Sequence, residues 1–295
     1  MNSHTECTLL LIDLRSPDFA LSIDPQTGGS VALAKWKGEP ILDRRAGNSV
    51  LDMACFPLVP FSNRIAGSAF VFDGRRVTLS PNHPGDPDSP AIHGFGWLRA
   101  WSVERVDEQT ATLSLTHEAG DWPWDFAASM TYRVSENGFE AALGITNLSD
   151  ETMPAGLGFH PYFPRTDQTM FHALHAGEWQ TDSTYLPTHL DKREQAQDWW
   201  DGQSVGTRNV DTIYTAREGD MEVRWPDRGI GARLSPSDDL SFTTVYVPEG
   251  ESYFCAEPVS HVTDAFNRDL SDNGMRVLAP GESWTVSTRI EAFAL

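Results

Sequence analysis

The sequence has few cysteines, few basic residues and no long hydrophobic run. Its three cysteines, Cys7, Cys55 and Cys255, are odd in number and widely spaced, which argues against a disulfide scaffold and indicates a reducing compartment. Lysine and arginine number 22 against 42 aspartates and glutamates in 295 residues, so the formal charge is −20. Because such a chain repels phosphate backbones and anionic lipid, we expect neither nucleic acid nor membranes as partners.

Targeting and nucleotide-binding signals are also absent. The apolar stretch from Thr8 to Ile12 is too short for the core of a signal peptide and follows Glu6, so we predict a cytoplasmic protein. No glycine-rich loop joins a strand to a helix, which disfavours nucleotide-binding α/β folds. The best helical candidate, residues 191–199, is short and polar.

What the sequence does contain is a series of short, partly alternating runs separated by turn residues, which is typical of antiparallel hairpins. The predicted hairpins pair 70–72 with 76–79, 101–106 with 110–116, 129–134 with 139–146, 221–225 with 232–234, and 276–278 with 284–290. Two loop-rich stretches, 81–90 and 189–207, lie between strand regions. We therefore predict an all-β fold, a large antiparallel β-sandwich.

Several polar residues occur where strand packing does not require them. Asn63 and Arg64 follow an apolar segment bounded by prolines, and His93 directly precedes Gly94. His160 lies among aromatic residues, Glu257 ends an apolar run, and Asp211 is a weaker case of the same kind. Each has a structural alternative when taken alone: a paired arginine, a core histidine, or a glutamate at an exposed strand end.

Metal binding is disfavoured. His172 and His175 have a spacing that zinc sites use, but no cysteine or carboxylate cluster near them in sequence completes a ligand set. We therefore predict no metal. Cys255 has no activating partner in the sequence, so a nucleophilic role is not expected.

Taken in chain order, these residues resemble the aldose 1-epimerase (galactose mutarotase-like) family. The matching blocks are Pro60–Ile65, His93-Gly94, Gly158–Phe163, Val210-Asp211, Cys255–Pro258 and Val277–Glu282. The resemblance runs from about Phe19 to the C-terminus. The family's fold is a large antiparallel β-sandwich, the galactose mutarotase-like supersandwich. Because the site residues run from position 64 to 257 and must converge on one cleft, we expect residues 1–295 to form a single domain.

The resemblance also implies an activity, the interconversion of the α and β anomers of a free aldose. Ring opening needs one group that takes the proton of the C1 hydroxyl and one that protonates the ring oxygen, and it needs no cofactor. By resemblance, Glu257 is the general base and His160 the general acid, while His93 donates a hydrogen bond. Arg64 with Asn63 and Asp211 would bind the sugar. The expected partner is a small monosaccharide.

Three alternatives remain open. A hexose-6-phosphate 1-epimerase would need a basic cluster, and the only adjacent arginine pairs are Arg44-Arg45 and Arg75-Arg76. A non-catalytic carbohydrate-binding β-sandwich would not need the Glu257–His160 pair. A glycosidase could use Asp211 and Glu257 but leaves the histidines unexplained. The Gly94-Phe95-Gly96 sequence departs from the Gly-Gly form common in galactose mutarotases, which leaves the preferred sugar open.

Overall fold

The structure is a computed structural model that describes residues 11–43, 46–268 and 273–295. Its strands are β1 Ile12–Arg15, β2 Phe19–Asp24, β3 Ser30–Trp36, β4 Glu39–Leu42, β5 Cys55–Leu58, β6 Ala69–Phe72, β7 Arg75–Thr78, β8 Ser102–Val106, β9 Thr110–His117, β10 Phe126–Val134 and β11 Gly138–Asn147. They continue as β12 Met153–Ala155, β13 Gly158–Pro164, β14 Met170–Thr181, β15 Pro187–Asp198, β16 Val210–Trp225, β17 Ile230–Pro236, β18 Phe242–Val247, β19 Tyr253–Val259, β20 Arg276–Leu278 and β21 Ser283–Ala294. Single 3₁₀ turns occur at Val50–Asp52, Ala66–Ser68, Gly96–Leu98, Val205–Thr207, Pro226–Arg228 and Ala265–Asn267.

Seventeen of the strands form one continuous antiparallel sheet. One run of pairings is β8-β9-β10-β11-β21-β17-β16-β18-β19-β13-β5-β3-β2-β1. The β14–β15 hairpin is attached to the long strand β16. Two small sheets, β6–β7 and β12–β20, complete the fold. The prediction of a large antiparallel β-sandwich is confirmed.

Alternation along the strands divides the apolar residues into two clusters. In β10, every second residue from Phe126 to Val134 is buried, so one side of the strand packs inward. The main cluster fills the interior of the sandwich. A smaller cluster, which includes Phe56, Tyr162 and Cys255, lies on the opposite side of β5, β13 and β19. This second cluster supports the cavity described below.

Four of the five predicted hairpins are confirmed, whereas the fifth hairpin and the helical candidate are wrong. Residues 276–278 pair with β12 rather than with β21. Residues 191–199, the helical candidate, lie mostly in strand β15, so the predicted loop 189–207 is also partly strand. β15 is polar because most of its side chains are at least partly exposed, and bulges interrupt its register with β14. Cys7 lies outside the described residues, and Cys55 and Cys255 are buried thiols.

Candidate active site

The floor of the site is formed by four neighbouring strands, β5, β13, β19 and β18. Gly158 pairs with Val259 and Tyr162 with Cys255, so His160 and Glu257 lie opposite each other between these pairs. His160 is also the partner of Phe56 on β5, and Glu257 is the partner of Thr244 on β18. The sheet register therefore aligns Phe56, His160, Glu257 and Thr244 in one row. Because cross-strand neighbours project to the same face, residues that are distant in sequence come together.

His160 and Glu257 form a buried pair. His160 Nε2 lies 3.3 Å from Glu257 Oε1, and the two residues are only 7% and 2% exposed. The His160 ring is stacked between those of Phe56 and Tyr162, with centroid distances of 4.4 and 4.7 Å. These contacts fix the plane of the imidazole, so its Nε2 is directed at the carboxylate.

The Glu257 carboxylate is strongly perturbed. Burial raises its pKa well above the ordinary value, the nearby charge of Asp211 raises it further, and Arg64 opposes both effects. Its Oε2 is buried and has no hydrogen-bond partner among the described residues. Since buried polar atoms are nearly always hydrogen-bonded, Oε2 is suited to accept a hydrogen bond from a ligand in the cavity.

His93 is held in a special backbone conformation. It has φ +60°, and the following Gly94 has φ +67°. A Cβ on Gly94 would lie 2.2 Å from the Val59 carbonyl oxygen, so only glycine permits this close approach. His93 Nδ1 accepts the backbone N–H of Asn63 at 3.1 Å. Nε2 then carries the proton, and the ring acts as a hydrogen-bond donor.

The pKa of His93 is well below its ordinary value. Burial is the main cause, and His160, Arg64 and His83 add unfavourable charge. His93 is therefore neutral near pH 7. Its ring meets that of His160 edge to face, with the centroids 5.2 Å apart. The two histidines thus differ in character: His93 is a neutral donor, and His160 faces a carboxylate.

Asn63, Arg64 and Asp211 form a polar group on the other side of the cavity. Arg64 Nη2 is 3.2 Å from Asp211 Oδ2, and Arg64 Nη1 donates to Asn63 Oδ1 at 3.3 Å. Asn63 has φ +56° and also accepts the backbone N–H of Arg64. Burial raises the pKa of Asp211 even though Arg64 lies beside it. The guanidinium is therefore fixed in position by two oxygen acceptors.

All six predicted site residues line one cavity of about 610 Å³. Four of the protein's six tyrosines, Tyr162, Tyr185, Tyr246 and Tyr253, also line it, and none of the four is among the predicted site residues. Alternation would have identified two of them, because Tyr162 and Tyr253 occupy the same strand faces as His160 and Glu257. Tyr185 lies in a turn, and no local pattern marks it.

The site also contains a set of possible metal ligands. His160, Cys255 and Glu257 offer atoms that all lie within 4.8 Å of one another, the only such group of three in the described ranges. The histidine and the glutamate of this set, however, already contact each other, with 3.3 Å between His160 Nε2 and Glu257 Oε1. The pair His172 and His175 does not converge. His172 contacts Asp198 on the surface, while the buried His175 contacts Thr243 Oγ1.

Fold and cleft define the class of protein: a large antiparallel β-sandwich with a buried histidine–glutamate pair in a tyrosine-lined cavity. The solved structure of a galactose mutarotase-like protein from Clostridium acetobutylicum has the same fold, with a TM-score of 0.81, 19% identity, and coverage of 96% of this chain and 95% of that one. A second structure, from Escherichia coli K12 and provisionally described as an aldose 1-epimerase, gives a TM-score of 0.88 at 26% identity over 97% and 99% of the two chains.

The aldose 1-epimerase family model matches residues 11–291. The uncharacterized Escherichia coli K12 protein YphB is 30% identical over 284 residues, which are 92% of this chain and 96% of YphB. The aldose 1-epimerase of the same organism is 28% identical over 105 residues, 35% of this chain and 30% of that protein. The chain belongs to the aldose 1-epimerase family. No helix in the described part of the chain is long and apolar enough to cross a membrane.

Proposed function

We propose that this protein is an aldose 1-epimerase that interconverts the α and β anomers of a free aldose. The observation that carries the proposal is the buried His160–Glu257 pair, 3.3 Å apart, with a second carboxylate oxygen that no described residue binds. This pair supplies a proton acceptor and a proton donor in one cavity, which is what opening a hemiacetal ring requires.

In the proposed mechanism, Glu257 takes the proton of the C1 hydroxyl while protonated His160 donates a proton to the ring oxygen. The C1–O5 bond breaks, and C1 becomes an aldehyde. Rotation about C1–C2 presents the other face of the carbonyl. On reclosure, O5 attacks C1 and returns its proton to His160, and Glu257 returns its proton to the C1 oxygen. Both residues are then restored, and no electrons or atoms are exchanged with another reactant.

The remaining polar residues bind and orient the sugar. Neutral His93 donates through Nε2 to an oxygen at the reacting centre, where negative charge develops on ring opening. Arg64 holds ring oxygens with the guanidinium donors that Asp211 and Asn63 leave available. Asp211 accepts sugar hydroxyls, as carboxylates commonly do in polar binding sites.

A free aldose suits this cavity better than a sugar phosphate. Asp52, Asp211 and Glu257 line it, and the one arginine, Arg64, already contacts Asp211. A phosphate group would bring two more negative charges without an unpaired cationic partner among the described lining residues. Of the two arginine pairs in the sequence, Arg44-Arg45 lies outside the described residues, and Arg75 contacts Glu151 on the surface.

The test is the optical rotation of freshly dissolved α-glucose, α-galactose, xylose or arabinose at low temperature. We expect the protein to accelerate mutarotation and both Glu257→Gln and His160→Gln to abolish the acceleration. His175→Gln is the matched control, because His175 is a buried histidine that contacts Thr243 instead of lining the cavity. Full activity in both site variants would contradict the mechanism. Sugar binding without acceleration would favour the carbohydrate-binding alternative. A cytoplasmic location and a single domain over residues 1–295 stay predictions.

A further inference from the structure

Tyr185 lies at the tip of the β14–β15 hairpin, above the polar side of the cavity. The turn between the strands is closed by Asp182, whose Oδ1 accepts the backbone N–H groups of Thr184 and Leu186. The Tyr185 N–H bonds to the Asp182 carbonyl at 3.0 Å. This turn fixes the direction in which the tyrosine side chain leaves the backbone.

The backbone of Tyr185 is in the left-handed region, with φ +62°. That conformation is unfavourable for a residue with a Cβ, and glycine avoids the cost. Strained residues of this kind tend to occur at binding sites, where the side chain has a use. The sequence thus places a large aromatic residue where a turn alone would favour glycine.

The Tyr185 ring lies over the Arg64 guanidinium, with 5.0 Å between the guanidinium carbon and the ring centroid. Arg64 is the same residue that contacts Asp211 and Asn63. Tyr185 also lines the cavity while remaining 50% exposed. Its ring therefore spans from solvent to the sugar-facing polar group.

The hairpin is anchored to the site at its base. Thr212, next to Asp211, donates its hydroxyl to the carbonyl of Trp179 on β14. Arg268 donates to the carbonyl of Pro187, the first residue of β15, and lies 4.9 Å from the Trp179 ring centroid. These contacts hold both strands beside the cavity, so the position of Tyr185 is determined relative to Arg64.

We propose that Tyr185 is a sugar-contacting residue that closes the mouth of the cavity. Its ring packs against the apolar C–H face of the bound aldose and screens the Arg64–Asp211 pair from water. This role rests on the proposed function, because it assigns Tyr185 to the same sugar site. Aromatic rings that stack on ligands or cations contribute modestly to affinity, so the ring acts on binding rather than on proton transfer.

The test compares Tyr185→Gly, Tyr185→Phe and Ala216→Gly. Ala216 is an exposed residue with φ +52° outside the cavity, so its glycine variant controls for backbone freedom. We expect Tyr185→Gly to raise KM about tenfold with kcat nearly unchanged and with no fall in thermal midpoint. Tyr185→Phe, which keeps the ring, and Ala216→Gly should keep the KM of the unaltered protein.

Failure of this proposal can be told apart from failure of the proposed function. An unchanged KM in Tyr185→Gly, with active unaltered protein, overturns the role of Tyr185 alone. If the unaltered protein does not accelerate mutarotation, the proposed function fails, and calorimetric Kd values for glucose then decide on Tyr185 with the same variants. A protein that neither binds nor converts any of the four sugars overturns both proposals.

Discussion

The two faces of strands β13 and β19 carry different kinds of side chain: one face packs in the main core, and the other lines the cavity. On one face Phe159, Phe163 and Phe254 are buried in the main core. On the other, His160 and Glu257 line the cavity. Because side chains alternate along a strand, core and cavity residues are immediate neighbours in sequence: Phe159 precedes His160, and the core residue Ala256 precedes Glu257. The difference teaches that close packing on one face can fix the geometry of polar groups on the other.

The two faces also differ in their contribution to stability. Burial of the phenylalanines stabilises the fold. Burial of the Glu257 carboxylate costs free energy, since its pKa is raised mainly by removal from water. The cavity face therefore carries a group whose burial costs stability and to which we assign the proposed chemistry, and substitutions on each face should separate the two effects.

The largest effect is expected for Glu257→Gln. Loss of the proposed general base should lower kcat by about 10²- to 10⁴-fold, measured by polarimetry, while the free energy of unfolding at pH 7 should not fall. The matched control is Glu178→Gln. Glu178 is also buried, but it contacts Arg208 and Tyr214 outside the cavity. That variant should lose stability and keep its activity; the opposite pattern would contradict the comparison.

A change on the core face should do the reverse. Phe254 is fully buried, with its ring 5.6 Å from that of Phe163 and 5.7 Å from that of Phe171. Phe254→Ala should therefore lower the free energy of unfolding by about 3–5 kcal/mol, measured by urea denaturation. The kcat of the folded fraction should change little. A loss of kcat comparable to that of Glu257→Gln would show that the two faces cannot be separated.

Which features of the fold could be predicted from the sequence depends on whether their signals are local. Turn residues and alternation identified most hairpins, since these signals are local. The helical candidate 191–199 was wrong because β15 is a polar strand whose bulges erase a regular period. The pairing of 276–278 was wrong because its partner, β12, lies more than a hundred residues earlier in the chain. Pairing between distant segments leaves no mark in local sequence.

The site shows the same limit. Chain order and residue type singled out six residues, and the structure places all of them in one cavity. What brings them together is the register of β5, β13, β19 and β18, which no single segment encodes. Tyr185 escaped notice because its position depends on a turn and on a contact with Arg64, 121 residues away in sequence (185 − 64).

A smaller effect is expected for Asp211→Asn, which keeps the shape of the side chain and removes its charge. A hydrogen bond to a charged group is worth about 1.5–3 kcal/mol, so KM for the sugar should rise roughly tenfold or more while kcat changes less. Asp198→Asn is the control, since Asp198 contacts the exposed His172 and not the main cavity. A fall in kcat with constant KM would instead assign Asp211 to the chemical step.

The smallest effect concerns pH and tests whether burial controls the chemistry of the cavity face. Because the pKa of Glu257 is raised, kcat/KM should fall on acidification at a pH above 4.5, the ordinary value. Asp211→Asn should move this acidic limb of the kcat/KM profile to lower pH, since a neighbouring negative charge is removed.

The raised pKa of Glu257 also makes the free energy of unfolding depend on pH in one direction. The stabilising contribution of Glu257 to the folded state is fully present below the pKa that this residue has in the unfolded chain. It is lost as the pH rises through the higher pKa that Glu257 has in the folded protein. Between these two pKa values, the free energy of unfolding of Glu257→Gln should therefore increase with pH relative to that of the unaltered protein. A difference that decreases with pH would contradict the raised pKa.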